Sequence, residues 1–284
     1  MTWDSGLPDR EAFIARVRDE GARHHRDLPW RYLDDPFAVL VSEIMLQQTQ
    51  VARVGRFWER FMATFPTIDA LAAAEVADVL ALWQGLGYNR RALALKKTAD
   101  ICAAERGGTL PETAEELVRL PGIGPATAAG VVAFAFDRPA VYLETNVRTV
   151  FLHELFPDRE GVPDRELVPL VADTCPAEGA RAWYYALLDY GAHLKSLVAN
   201  PSRRSAHYTR QSAFEGSRRQ KRAELVRAVL AAPDGIPAPE LHERLNAFER
   251  AAGRPEVDFP LFDSIAEDLV AEGFFRREGD RYRA

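Results

Sequence analysis

A carboxylate and three amides interrupt an otherwise apolar helical stretch at residues 42–50, which read SEIMLQQTQ. A Glu inside an apolar helix is rarely buried unless it has a partner or a task. Glu43 is therefore the first candidate for a chemical role. Gln48 and Gln50 fit the pattern equally well as side chains that face solvent.

A second stretch, residues 120–127 with the sequence LPGIGPAT, has the composition of an anion-binding turn. It separates a helical pattern at residues 115–119 from a run of small residues at 126–132. Gly122 and Gly124 permit a tight turn because they have no Cβ. The following helix begins with N–H groups that have no partner, and such a terminus binds anions. This hairpin suits a DNA phosphate and reads no base sequence.

Apolar residues recur at helical spacing along most of the chain, and prolines fall at the segment boundaries. Strand signals are scarce before residue 230, so the fold class is predicted to be mainly α. Helices are predicted at residues 10–25, 37–50, 51–63, 74–81, 89–106, 113–120, 126–136, 146–155, 164–175 and 180–198.

The pattern changes after a polar, basic segment at residues 196–222. Three amphipathic helices are predicted at 220–231, 237–248 and 259–272. A Glu-Gly-Asp turn signal at residues 278–280 lies between strand formers and predicts a terminal hairpin. Three short helices and a hairpin resemble a winged-helix domain, which binds DNA in many proteins and contacts other proteins elsewhere.

The bulk composition is that of a globular protein, with 47% hydrophobic and 27% charged residues in 284. Two cysteines exclude a disulfide scaffold and suit a reducing compartment. The apolar runs are too short to span a membrane, and the first ten residues have no apolar core of a signal peptide. We therefore expect a cytoplasmic protein that does not bind membranes, and one associated with the nucleoid if it binds DNA.

The net charge of −6 argues mildly against nucleic acid, but the distribution of charge favours it. Local clusters, rather than the total, determine a binding surface. Each cluster alone fits a solvated helix face equally well. The basic residues are Arg90, Arg91, Lys96 and Lys97 in one cluster, and Arg203, Arg204, Arg210, Arg218, Arg219, Lys221, Arg222 and Arg227 in the other.

Together these stretches resemble the helix-hairpin-helix DNA glycosylase superfamily and, within it, the MutY adenine glycosylases. The resemblance covers roughly residues 10–200 and implies a two-lobed helix-hairpin-helix glycosylase fold, here followed by the small winged-helix-like domain. The matching residues are Leu28-Pro29-Trp30, residues 42–50, residues 83–88 (WQGLGY), residues 120–127 and Asn146-Val147.

The expected domain organisation follows from this resemblance. Residues 1–30 and 137–200 are predicted to form a helical cluster domain, and residues 31–136 a six-helix domain with the hairpin. A basic linker at 201–219 precedes the winged-helix-like domain at 220–284.

The resemblance also implies a reaction. Such enzymes flip a nucleotide out of duplex DNA and cut its N-glycosidic bond. The base leaves readily only when it is protonated, so a carboxylic acid is needed. Glu43 matches the family's general acid, and an apolar pocket should raise its pKa.

The implied substrate is adenine opposite 8-oxoguanine or guanine. The family's C-terminal domain that reads 8-oxoguanine has no counterpart in the sequence. A mismatched thymine or uracil, or another lesion, therefore stays open as the substrate, and so does a damage-recognition protein that binds DNA without catalysis.

Duplex DNA is the implied partner of a monomer, and the resemblance assigns several contacts. Gln48 matches the residue that wedges into the duplex, and Tyr88 matches an aromatic that stacks near the opposite base. In relatives the hairpin carbonyls, here those of Val118, Leu120 and Ile123, also hold a monovalent cation such as Na⁺ or K⁺. The predicted DNA-binding residues are Gln48, Tyr88, Arg90, Gly122, Gly124, Thr127, Arg203 and Arg204.

Three positions depart from the family pattern. Glu144 stands where the family has an Asp that stabilises positive charge on the sugar, so Glu144 is predicted to be catalytic, with helix capping as the alternative. Ala126 stands where bifunctional relatives have a Lys that attacks the sugar, which predicts base removal without strand cleavage. No cysteine follows the helix at 180–198, so we expect no iron–sulfur cluster and no required cofactor.

Overall fold

The computed structural model describes residues 3, 7–209 and 213–284, and they are mainly helical, as predicted. Short 3₁₀ turns lie at Pro29–Tyr32 and Pro201–Arg204. The helices are α1 (Arg10–Arg23), α2 (Pro36–Leu46), α3 (Val51–Thr64), α4 (Ile68–Ala72), α5 (Val76–Trp83), α6 (Arg90–Arg106), α7 (Ala114–Leu117), α8 (Pro125–Ala135), α9 (Thr145–Leu155), α10 (Asp164–Thr174), α11 (Ala180–Leu197), α12 (Arg218–Leu230), α13 (Ala238–Ala251) and α14 (Phe259–Ala271).

The chain divides into two compact units, each built from two segments. The first unit contains Met1–Gln47 and Thr109–Arg210, and the second contains Gln48–Gly108 and Gln211–Ala284. This division differs from the expected one, in which residues 31–136 form a single domain. The reason is that α8 packs on both α2 and α11, so the hairpin before α8 belongs to the first unit.

The core of the first unit is built around α11, which packs closely on α1 and α9. A Cβ added at Gly21 would lie 2.4 Å from the Cβ of Ala186, and one added at Gly191 would lie 2.3 Å from the Asn146 carbonyl oxygen. Glycine is therefore required both where α1 crosses α11 and where α9 crosses α11. The expected linker is also partly folded here, because the Pro201–Arg204 turn packs on α9.

A buried ion pair fixes the turn that leads into α2. The two Arg31 terminal nitrogens donate to the Asp189 carboxylate of α11 at 2.7 and 2.8 Å, and Arg26 Nε adds a third bond at 2.5 Å. Both the Arg31 and the Asp189 side chains are buried. Because Arg31 lies in the Pro29–Tyr32 turn, this network sets where α2 begins.

The helix α2 ends at Leu46, earlier than the predicted limit at residue 50. Gln48 has a φ of 55°, in the left-handed region that a right-handed helix cannot include. A turn therefore separates α2 from α3, and the amide-rich residues after Leu46 lie in this turn.

In the second unit, α4 and α5 pack against α6. The sequence did not predict α4, which has only five residues and begins where the Thr67 hydroxyl accepts the Ala70 N–H. The C-terminal part follows the order α12, β1 (Ile236–Pro237), α13, α14, β2 (Arg276–Glu278) and β3 (Arg281–Arg283).

The small sheet has β3 at its centre, paired antiparallel with β1 and β2. Tyr282 of β3 is buried, and its ring lies 5.4 Å from that of Phe275 and 6.5 Å from that of Phe262. This is the topology of a winged helix, as the sequence predicts. The strand β1 was missed because it has two residues, one of them a proline.

Within the part of the chain that the structure describes, no helix is both long enough and apolar enough to cross a bilayer.

Candidate active site and hairpin

The Glu43 carboxyl of α2 lies against the backbone of α8 in the first unit. The Tyr142 hydroxyl donates to Glu43 Oε2 at 3.2 Å. A Cβ added at Gly130 of α8 would lie 2.5 Å from Glu43 Oε2 and 2.9 Å from Tyr142 Cε2. Gly130 is therefore required for the carboxyl to occupy this place.

The Tyr142 ring is itself held by aromatic neighbours. It makes edge contacts with Phe134 and Tyr184, at centroid distances of 5.2 and 5.4 Å. The Tyr142 backbone N–H donates to the Tyr184 hydroxyl at 3.3 Å. Because ring and backbone are both fixed, the hydroxyl stays directed at Glu43. Sequence reasoning missed Tyr142 and Gly130, although Gly130 lies in the run of small residues at 126–132 and Tyr142 lies two positions before Glu144.

The surroundings of Glu43 favour its neutral form. Burial raises the pKa of Glu43 to about 8, and the negative charge of Glu144 acts in the same direction. The hydrogen bond from Tyr142 has the opposite, smaller effect on this pKa. At pH 7 the group is therefore a carboxylic acid with a proton to donate.

Glu144 lies within electrostatic range of Glu43 and caps α9. Its Oε1 accepts the N–H groups of Asn146 at 2.5 Å and Val147 at 3.1 Å. Burial raises the pKa of Glu144, while Lys195, the two capping N–H groups and Arg148 oppose the shift. The structure thus brings the two predicted carboxyls together and shows the capping bonds, whereas the catalytic role of Glu144 stays a prediction.

A lysine completes the surroundings of Glu144. Lys195 Nζ of α11 donates to Asn146 Oδ1 at 2.7 Å, and burial lowers the pKa of Lys195. Its positive charge stabilises ionised Glu144. Sequence reasoning did not single out Lys195, since only the packing of α11 on α9 brings it near this site.

The two hairpin glycines have different roles. Gly122 has a φ of 75°, which favours glycine, whereas Gly124 has a φ of −83° that any residue adopts. A Cβ added at Gly124 would meet no atom within 4 Å. Gly124 is thus not required by the fold, and its missing side chain leaves the backbone open to close approach.

The N-terminus of α8 presents unpaired donors beside Gly124. The first helical bond runs from Ala128 N to the Gly124 carbonyl, so the N–H groups of Ala126 and Thr127 have no acceptor within the helix. Gly122, Gly124 and Ala126 are exposed. This geometry can bind an anion.

The hairpin is tied to the end of α2 by Gln47. Its Nε2 donates to Thr127 Oγ1 at 3.0 Å and lies 3.5 Å from the Gly122 carbonyl oxygen. Thr127 is buried, and its hydroxyl accepts the bond from Gln47 that holds the hairpin. The role of Thr127 in DNA binding stays a prediction.

The hairpin carbonyls that the resemblance assigns to a cation come from Val118, Leu120 and Ile123. The Leu120 carbonyl accepts the Ile123 N–H at 3.3 Å, which leaves it a second lone pair. Carbonyl oxygens are hard donors that suit Na⁺ or K⁺, so these residues fit such an ion.

In the second unit, the predicted contacts Gln48 and Arg90 are exposed, and Tyr88 is half-buried. Gln48 and Tyr88 both have left-handed backbone conformations, with φ of 55° and 50°. The Arg90 guanidinium bonds both oxygens of Glu272 at 2.5 and 2.6 Å.

Most of the basic residues in the cluster after residue 203 form bonds to other residues of the protein. Arg203 is exposed, but Arg204 donates to the carbonyls of Leu152 at 2.9 Å and Phe156 at 2.8 Å, and to that of Pro157. The prediction that Arg204 contacts DNA is therefore revised, because its guanidinium closes the end of α9. Arg210 lies outside the described residues. The remaining ion pairs are Arg218–Asp268, Lys221–Glu249, Arg222–Glu272 and Arg227–Glu224.

One group of metal-ligand side chains converges among the described residues, formed by Glu20, His24 and His193. Glu20 Oε2 lies 3.3 Å from His24 Nε2. The two imidazoles are stacked, with centroids 3.4 Å apart and planes at 14°. Imidazole lone pairs lie in the ring plane, so stacked rings do not direct them at one ion. The contact packs α1 on α11.

Comparison with known proteins supports the resemblance drawn from the motifs. Residues 41–174 match the family described as the HhH-GPD superfamily of base excision DNA repair proteins. This match covers a little under half of the chain and includes Glu43, the hairpin and Glu144.

The similar curated proteins are adenine DNA glycosylases. The chain is 40% identical over 174 residues to that of Mycobacterium tuberculosis, a match covering 60% of this chain and 57% of the relative. It is 39% identical over 155 residues to that of Mus musculus, covering 51% and 30%. The match therefore spans little more than half of the first relative and under a third of the second.

Solved structures confirm the predicted fold class. The fold is similar to that of a thermostable thymine-DNA glycosylase, with a TM-score of 0.58 over 64% of this chain and 86% of that one. At 24% sequence identity this likeness establishes the architecture alone.

The Tyr142 hydrogen bond and the Glu144 charge act on Glu43 in opposite directions, which a titration can separate. Tyr142→Phe removes a bond that lowers the Glu43 pKa, so the pKa should rise above about 8. Glu144→Gln removes a charge that raises it, so the pKa should fall. Carbon-13 NMR of the Glu43 carboxyl measures both, with Tyr208→Phe at an exposed site as the control. Shifts of the same sign in the two variants contradict this account.

The different roles of the hairpin glycines predict a separation of folding from binding. Gly122→Ala should lower the free energy of unfolding by about 1 kcal/mol, because alanine disfavours a φ of 75°. Gly124→Ala should change it by less than about 0.5 kcal/mol, yet weaken binding to duplex DNA, since the new methyl group enters the open space. Urea unfolding and fluorescence anisotropy measure the two effects. Unchanged DNA binding by Gly124→Ala rules out backbone approach at this residue.

Proposed function

We propose that this protein is a DNA glycosylase of base excision repair that hydrolyses the N-glycosidic bond of adenine, with adenine opposite 8-oxoguanine or guanine as its substrate. The observation that carries the proposal is the place of the Glu43 carboxyl, which lies against Gly130 of α8 and accepts the Tyr142 hydroxyl at 3.2 Å. Burial there raises the pKa of Glu43 to about 8, which favours the neutral acid. Its relatives over the matched segment are named adenine DNA glycosylases, which favours adenine over thymine or uracil.

The two carboxyls have different roles in the proposed reaction. Protonated Glu43 donates its proton to a ring nitrogen of the adenine, which leaves as a neutral base. Lys195 and the α9 N–H groups favour the ionised form of Glu144 and oppose the effect of burial, which raises its pKa. A carboxylate stabilises the positive charge that develops on the sugar. Water then adds at the sugar carbon that carried the base.

Duplex DNA is the proposed partner. The exposed hairpin around Gly124 binds a backbone phosphate through the first N–H groups of α8 and does not read sequence. Gln48 enters the gap left by the flipped nucleotide, and Tyr88 stacks near the opposite base. Arg203 adds charge at the surface. We expect the protein to act as a monomer.

The proposal includes no redox cofactor. A four-iron cluster needs four thiolate ligands, and the chain has two cysteines. We therefore propose that freshly purified protein lacks the visible absorbance of such a cluster. The carbonyls of Val118, Leu120 and Ile123 are the proposed ligands of Na⁺ or K⁺, which when bound would supply positive charge beside the phosphate.

Replacement of the acid tests the proposed function. Glu43→Gln should slow adenine release by at least about 100-fold while duplex binding persists, because the amide has no acidic proton. In the wild type, the single-turnover rate should fall as the pH rises through about 8, where Glu43 loses its proton. Glu59→Gln, at an exposed position of α3, is the matched control.

A panel of DNA duplexes distinguishes between the candidate substrate bases. It contains adenine, thymine and uracil opposite guanine, and adenine opposite 8-oxoguanine. Faster release of thymine or uracil than of adenine overturns the substrate assignment. Tight binding with no base release from any duplex instead supports a damage-recognition protein without catalysis.

We further propose that the enzyme is monofunctional, because the exposed first turn of α8 offers a methyl group at Ala126 in place of an amine. Borohydride added during turnover should trap no covalent adduct with DNA, and the product should be an intact strand with an abasic site. A gel shift under denaturing conditions measures this. A robust adduct contradicts the proposal, and its loss in Lys195→Arg would identify Lys195 as the attacking amine.

A further inference from the structure

The loop between α5 and α6 has an unusual backbone. Gly85, Gly87 and Tyr88 have φ values of 99°, 77° and 50°, all in the left-handed region. Tyr88 has a Cβ, so this conformation costs conformational energy. Such a residue keeps a left-handed backbone only where its surroundings hold it there. We call residues 85–89 the Tyr88 loop.

Neighbours on α5 and α6 hold the loop from one side. Arg91 Nη2 donates to the Gly87 carbonyl at 2.9 Å and to Thr49 Oγ1 at 3.1 Å. Trp83 Nε1 donates to the same Gly87 carbonyl at 3.2 Å. The Arg91 guanidinium carbon lies 5.4 Å from the Tyr88 ring centroid, a cation–π distance. These contacts fix the loop backbone and engage the ring of Tyr88.

The winged-helix-like domain begins in the structure with α12 at Arg218, two residues before the predicted limit, and it contacts the same loop from its other end. Arg219 Nη1 of α12 donates to the Tyr88 hydroxyl at 2.8 Å, and its guanidinium carbon lies 5.6 Å from the ring centroid. Glu272, which caps the C-terminus of α14, accepts both Arg90 and Arg222. Two separate contacts therefore connect one domain to two residues, Tyr88 and Arg90, that are nearly adjacent in the chain.

The charges of this domain favour an internal partner over a second DNA surface. DNA-binding domains of the helix-turn-helix type place a helix in the major groove, where phosphates repel acidic side chains. The last helix, α14, carries Asp263, Glu267 and Asp268 and is followed by Glu272. Asp268 pairs with Arg218, and Glu272 pairs with Arg90 and Arg222. Four of the five basic residues of α12, Arg218, Lys221, Arg222 and Arg227, are thus paired with acids of the same unit.

We infer that the winged-helix-like domain is a brace for the Tyr88 loop and that Arg219 is a positioning residue for Tyr88. The inference rests on the proposed function, in which Tyr88 stacks near the base opposite the excised adenine. The bond to the Tyr88 hydroxyl fixes the direction of the ring axis, and the guanidinium groups of Arg91 and Arg219, 5.4 and 5.6 Å from the ring centroid, restrict rotation about that axis. The orientation of the ring determines which opposite base it accommodates. The C-terminal domain thereby contributes to opposite-base selectivity through Arg219, without itself contacting that base.

Substitution of Arg219 tests the brace in the full-length chain. Arg219→Leu should reduce the ratio of single-turnover rates for adenine opposite 8-oxoguanine and opposite guanine by about three- to tenfold, the effect of losing one hydrogen bond. Arg219→Lys keeps the charge and should recover part of the ratio. Tyr88→Phe should reproduce the loss, and adding Arg219→Leu to it should have little further effect.

A matched control lies one residue away. Arg218→Leu removes a bond from α12 to Asp268 and leaves the Tyr88 loop untouched, so the rate ratio should stay at the wild-type value. A purely structural role for Arg219 would lower both rates equally and leave the ratio unchanged. An unchanged ratio in Arg219→Leu, or an equal loss in Arg218→Leu, overturns the inference.

Hydrogen exchange tests the brace without any activity. The peptide covering residues 84–91 should exchange faster in Arg219→Leu than in wild type or Arg218→Leu. If the wild type releases no base, the proposed function fails while faster exchange still supports the brace. If the wild type is active and exchange in Arg219→Leu is unchanged, the brace fails while the proposed function stands.

Discussion

A carboxyl group that must keep its proton at neutral pH has to be buried without a cation beside it, and the first unit is arranged around this constraint. Glu43 meets it because Gly130 removes the side chain that would otherwise fill its place, and because Tyr142 offers a neutral donor. A neutral donor orients the carboxyl with a smaller effect on its pKa than an ammonium or guanidinium group would have. In the same unit the buried Arg31 lies elsewhere, where it pairs with Asp189 and fixes the turn that leads into α2.

The second carboxyl shows how one residue can satisfy two needs. A negative charge near Glu43 raises the cost of ionising that acid, and burial also raises the cost of ionising Glu144 itself. The bonds of Glu144 to the first N–H groups of α9 and the nearby Lys195 oppose this effect of burial. Capping of α9 is therefore compatible with the catalytic role proposed for Glu144. The extra methylene of Glu relative to Asp is accommodated by an extended N-cap backbone, with φ of −107° and ψ of −176°.

Local sequence patterns predicted the features that depend on neighbours in the chain. The helices, the hairpin turn at Gly122 and the winged-helix topology follow from periodicity and turn chemistry, and Glu43 stood out as a charge in an apolar helix. The features that local patterns do not contain depend on distant partners. Thr127 and Arg204 are polar residues at plausible surface positions, yet Thr127 accepts a bond from Gln47 and Arg204 donates to carbonyls at the end of α9. Tyr142 and Gly130 carried no local signal because their places beside Glu43 exist only where α2 packs on α8. The two compact units differ from the expected domains for the same reason.

The discontinuous units have a consequence for how the chain is made. Residues 1–47 need residues 109–210 to complete the first unit, and residues 48–108 need residues 211–284 to complete the second. Domains fold as units during synthesis, so the first unit closes earlier, while the ribosome is still translating the C-terminal region. The first unit, with Glu43, Glu144 and the hairpin, therefore folds before α12 emerges from the ribosome. The Tyr88 loop gains its contacts with α12 only afterwards. Translation itself thus sets an order in which the two carboxyls proposed for catalysis are in place before the brace proposed for selectivity.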